Sequence, residues 1–208
     1  MKKQMILGWL FFSAVWGLSE VLLGGSLFGY KIPYASIPLV VIGFLVLSLA
    51  RVFFPYLGMA TLIAVGALFF KFLNAPFYKC HYLGILVTGI SFDLFFAVLA
   101  LKRRWLAAAA AAWFNNLAFA VLMTYVIHYQ PWVQNHPEKF LYHVLISGSV
   151  IAVLSAFLVP LCLRQAESLR QKYPAPFQWQ PGLAARMIPL ASTLCWAGSL
   201  VIFGYQVL

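Results

Sequence analysis

The chain has 208 residues, 64% of them apolar and 9% charged, with a mean hydropathy of +0.92 and a net charge of +10. Soluble domains carry about 25% charged residues, so this composition leaves too little polar surface to face water and excludes an ordinary soluble globular domain. The positive charge does not mark a nucleic-acid binder either. The basic residues gather at the ends of apolar runs, where they set topology and meet lipid headgroups.

Seven apolar runs of roughly bilayer-spanning length follow one another: 5–24, 36–54, 56–74, 82–101, 105–128, 140–163 and 185–206. Lys2 and Lys3 ahead of the first run imitate a signal peptide. Gly24-Gly25-Ser26 leads straight into more apolar sequence, however, so the run reads as a retained helix. Within it Ser13, Gly17, Glu20 and Gly24 recur at the spacing of one helix face. Small residues there admit a neighbouring helix, and the same stripe turns the carboxylate away from lipid.

Pro33 and Pro38 open the second run, and Pro55 separates it from the third so tightly that a helical hairpin is expected. Asn74-Ala75-Pro76 closes the third. The fourth carries Gly89, Asp93 and Ala97 on one stripe, with Gly84, Thr88 and Ser91 on a second. Asp93 falls near mid-depth, where an unpaired carboxylate is most costly. Asn115 and Asn116, midway along the fifth run, are its expected partners.

Lys102-Arg103-Arg104 makes the turn into that fifth run, which ends with Thr124 and His128. The sixth opens with His143 and Ser147 on one face. The expected fold is therefore all-α, a polytopic integral membrane helical bundle of six to seven transmembrane helices in a single domain, 1–208. It divides into a core bundle at 5–163, a cytoplasmic linker at 164–184 and an additional C-terminal helix at 185–206.

Counting basic residues at alternate ends gives ten on the side of the N-terminus, Lys2 and Lys3 through Arg164, Arg170 and Arg186, against Lys31, Lys71, Lys79 and Lys139 on the other. The bias predicts a multi-pass cell-membrane protein with a cytoplasmic N-terminus. All four histidines, Cys80 and many tyrosines then lie at the outer face, where the aromatic residues also suit an interfacial belt. Polar residues from the first, fourth, fifth and sixth runs converge in the outer half of the bilayer, the usual construction of a small-molecule pocket. The candidate ligand-binding set is Glu20, Asp93, Asn115, Asn116, His128, His143 and Ser147.

Catalytic signatures are missing: the chain has no HExxH, no GxSxG and no Walker sequence, so no enzyme is expected. Cys80, Cys162 and Cys195 fall in separate runs without CxxC spacing. Cys80 and the histidines are acceptable metal ligands, but their spacing assigns no metal site, and no cofactor is expected. A single haem near His128 and His143 defines the alternative, an integral membrane anchor subunit of a redox complex binding haem or quinone.

The stretch "GMATLIAVGALFFKFLNAPFY…LGILVTGISFDLFFAV", Gly58 to Val98, resembles the thiamine-precursor group of S-components, the substrate-capture subunits of energy-coupling factor transporters. There a Gly-led third helix precedes a loop and a G-x-x-F-D/E fourth helix. The resemblance spans residues 5–163. It implies a non-enzymatic protein that captures a vitamin or vitamin precursor at the outer face, under loops 25–35 and 75–82. Its partners would be membrane lipid and a coupling transmembrane subunit with ATPases. That family docks its partner through an Ala-xxx-Ala pair on the first helix. Ser13 and Gly17 stand at the matching positions, so the resemblance implies docking by a stripe that also carries Glu20.

Overall fold

The computed structural model describes residues 2–30, 32–72, 79–99, 103–172, 190–198 and 201, and all regular structure among them is helical. Helix α1 (Lys2–Ser19) runs on through a π-helical turn, Glu20–Gly24, into a last short α-helical stretch, Gly25–Gly29. Then come α2 (Ser36–Phe53), α3 (Met59–Phe72), α4 (Lys79–Val98) and α5 (Arg104–Val121), the last extended by a second π turn, Leu122–Val126. A short α6 (Gln130–Val133) precedes α7 (Glu138–Lys172), which contains a third π turn, Tyr142–Ser147.

Among the described residues, five helices are long and apolar enough to cross a membrane: Gln4–Leu27, Ser36–Phe53, Cys80–Val98, Arg104–Val126 and Glu138–Lys172. Large apolar side chains such as Phe69, Val98 and Phe157 remain exposed on the outside of the bundle, as lipid-facing positions require. Of the third expected span, Met59–Phe72 is helical, and residues 73–78 lie outside the described residues. Of the seventh run only 190–198 and 201 are described; they are helical, and the Trp196 ring lies 3.9 Å from that of Phe70 on α3.

The helices form a closed ring in the order α1, α3, α4, α5, α7, α2 and back to α1. The expected hairpin of the second and third runs is thus corrected. After the turn at Phe54–Gly58, where Gly58 takes a φ of +84°, α3 inserts between α1 and α4 and touches α2 only lightly. Small residues set the closest approaches. Ala107, Ala108, Ala111 and Ala112 are fully buried on α5, which packs extensively on α7. A Cβ on Gly89 would meet the Ala60 carbonyl oxygen at 2.9 Å, which is how near α4 lies to α3. Phe44, Leu47, Ile63, Phe92 and Phe96 fill the centre.

The helix that contains the sixth expected span continues past residue 163, through Arg164 and Arg170 to Lys172. Residues 164–172 of the expected linker are therefore helical. The remainder of that linker lies outside the described residues, as do Lys31, Lys102, Arg186 and the segment Asn74-Ala75-Pro76.

Candidate functional site

At one end of the ring, α1, α2, α4, α5 and α7 leave a pocket with about 90 Å³ of water-accessible space, within about 580 Å³ of non-atom volume counting its open mouth. The three π turns all lie at this end of their helices, and two supply pocket residues directly, Glu20 and His143. A π turn widens the helix by one residue and re-aims its side chains, which is why such turns recur at functional sites.

The polar lining is formed by Glu20, His81, Thr88, Asn115, Asn116 and His143. Asn115 accepts a hydrogen bond from the Thr88 hydroxyl at 3.2 Å, linking α4 to α5. Asn116 donates its amide to the Ala112 carbonyl at 2.9 Å, which leaves its side-chain oxygen for the pocket. His143 is wedged between aromatic rings, Phe119 at 5.4 Å and Trp132 at 5.0 Å between centroids. Trp16, 1% exposed, also lines the pocket. Near the mouth Tyr34, in the loop after α1, stacks on Tyr142 of α7 with centroids 5.8 Å apart.

Glu20 has a partner that the sequence reading did not name. Lys71, 3% exposed, extends its ammonium to the Glu20 carboxylate at 3.5 Å and donates to the Glu20 backbone carbonyl at 3.1 Å. Lys71, counted among the basic residues of the outer side, does lie at the pocket end of α3, but it is enclosed against the π turn of α1. The signal was present in "ALFFKFL", a lone cation inside an apolar run counted from Gly58.

Asp93 does not meet Asn115 or Asn116. Its Oδ2 accepts from the Thr61 N–H at 2.8 Å and hydroxyl at 2.7 Å, and its Oδ1 from the Ala60 N–H at 3.4 Å. It caps the first turn of α3 from a neighbouring helix, at the opposite end of the bundle from the pocket. The donors it needs are the unpaired N–H groups that every helix start presents. Asp93 is therefore withdrawn from the ligand set.

His128 is exposed, with a φ of +50°, and Ser147 is buried, but neither lines the pocket. Glu20, Asn115, Asn116 and His143 do. The expected docking stripe is corrected as well. Ser13 donates to the Ile63 carbonyl at 3.1 Å, and Gly17 sits against the Phe70 ring. Both are buried against α3 of the same chain, so neither faces outward to a partner.

The sequence reading left out Trp16, Thr88 and His81 as ligand contacts, although Thr88 lay on its weakly polar stripe. Among the described residues no three His, Cys, Asp or Glu side chains converge closely enough to hold a metal ion. No family model, curated protein or solved structure matches this chain.

Proposed function

We propose that this chain is the substrate-capturing membrane component of a micronutrient uptake system, binding a small organic molecule in the pocket between α1, α2, α4, α5 and α7. One observation carries the reading: hydrogen-bonding groups from four helices converge on a single, mostly apolar pocket, the construction expected of a small-molecule site. The basic residues favour an outward mouth. Arg51, Arg104, Arg164 and Arg170 all lie toward the other end of their helices, the end that the positive-inside rule keeps in the cytoplasm.

Native mass spectrometry of protein purified in mild detergent tests this. A co-purified small molecule retained by the natural chain and lost from Asn116→Ala, with unchanged melting, is the expected result. A wild-type chain that retains nothing when offered cell extract would remove the proposal.

His81 and His143 on the same pocket are what favour the alternative, a haem-holding redox anchor. The pocket as it stands is far too small for a porphyrin. A haem absorption band in the purified protein would reverse that preference.

A further inference from the structure

A second cavity opens at the end of the bundle opposite the ligand pocket, between the C-terminal ends of α2 and α4, the start of α5 and the last turns of α7. It has about 360 Å³ of water-accessible space, and its charged lining is Arg51, Arg104, Arg170 and Glu167. Three guanidinium groups thus meet one carboxylate. Val52, Pro55, Phe96 and Leu163 supply apolar walls.

Two of the arginines, Arg51 and Arg170, are held in place by backbone carbonyls. Arg51 donates to the Phe96 carbonyl at 3.1 Å and lies 5.5 Å from the Phe96 ring centre. Arg170 donates to the Val52 carbonyl at 2.6 Å. Each guanidinium has five N–H donors, so one carbonyl contact fixes its direction and leaves most of its donors available. Asp93, the other carboxylate in electrostatic reach of Arg51, is committed to the first turn of α3.

Arg104 is different, because Glu167 binds it in a two-pronged ion pair at 2.8 and 3.0 Å. That pair is nearly half exposed, and such pairs contribute little to stability. Beside it α5 starts without a side-chain cap, at Arg103, so N–H groups of its first turn lack an intrahelical acceptor. Fixed guanidiniums, an uncapped helix start and a displaceable carboxylate are the parts of a phosphate site.

We propose that this basic cavity binds an anionic phosphate group, supplied either as the diester of a phospholipid headgroup or as free inorganic phosphate. The apolar walls would accept the glycerol and upper acyl carbons of a lipid. The exposed Trp105 ring beside the cavity suits the headgroup boundary.

The full chain, reconstituted in nanodiscs of phosphatidylglycerol and phosphatidylcholine and released for native mass spectrometry, tests the lipid source. Melting in detergent with sodium phosphate against sodium chloride tests the free anion. One phosphatidylglycerol should be retained in preference to phosphatidylcholine, about fivefold less in Arg170→Gln and more in Glu167→Gln, which frees Arg104. A purely structural ion pair would not give that gain, and Glu167→Gln leaves the carbonyl-held arginines in place. Preference for the anionic lipid without a phosphate shift identifies the lipid, and a phosphate shift with equal lipid retention identifies the free anion. Absence of both responses, or weaker retention of either anion in Glu167→Gln, overturns the proposal.

Discussion

Glu20 and Asp93, the two carboxylates inside the bundle, serve opposite ends of one helix. Asp93 receives the N–H groups at the start of α3, and Glu20 meets the ammonium of Lys71 in its last turn. Both placements match the helix dipole, an anion at its positive end and a cation at its negative end. The energetic consequences differ. Removing the cation from a buried pair leaves a carboxylate without compensation, so Lys71→Met should cost about 3 kcal/mol, whereas Glu20→Gln/Lys71→Met should regain most of that loss. Melting of the three proteins in detergent measures this, and a double variant no more stable than Lys71→Met would show that the pair is not coupled. For Asp93→Ala a loss of about 1–2 kcal/mol is expected. A double-mutant cycle should couple Asp93 to Thr61 and find Asp93 and Asn115 additive.

Helix α3 draws charged partners from its neighbours, Asp93 at its first turn and Glu20 beside Lys71. The N–H groups at its start have no intrahelical acceptor, and inside an apolar bundle water cannot serve them. Neighbouring helices must then supply the partners. They must also come close, and glycine permits it. A Cβ on Gly89 would press on the Ala60 backbone oxygen, whereas one on Gly84 meets only the Phe119 ring at 3.7 Å. Gly89→Ala should therefore lower stability by about 1–3 kcal/mol through overpacking. Gly84→Ala should be neutral or slightly stabilising, since alanine is favoured in helices by up to about 1 kcal/mol. Because Gly84 also lines the pocket, its alanine variant should weaken ligand retention while melting normally. Equal melting losses in the two variants would refute the packing difference.

Across the whole molecule, chemistry is divided between two ends. Histidines, the two asparagines and the ligand pocket lie at one, and the arginine-lined cavity at the other. On α2, residues 40 and 51 line the separate cavities, which puts them about 17 Å apart along the helix. The orientation proposed above, with the arginine end in the cytoplasm, rests on the positive-inside rule. In a cysteine-free background, Gln134→Cys should react in intact cells with a membrane-impermeant maleimide, and Leu169→Cys only after permeabilisation. The reverse pattern would turn the ligand pocket toward the cytoplasm and end the uptake proposal.

The long apolar runs, the inward stripe of Ser13, Gly17 and Glu20, and the placing of Asn115, Asn116 and His143 around a cavity were legible in the sequence. Each depends on helical period and on the cost of polar groups in lipid, both local properties. Partners were not legible. Asp93 was expected to meet an asparagine and instead caps α3. The family resemblance implied that Ser13 and Gly17 dock another protein, and α3 of the same chain covers them. Lys71 was counted on the outer side without a partner and is enclosed beside Glu20. All three outcomes follow from one fact of tertiary structure, the insertion of α3 between α1 and α4 rather than beside α2. Periodicity fixes which face of a helix avoids lipid, but only the packing order of the ring decides which neighbour that face meets.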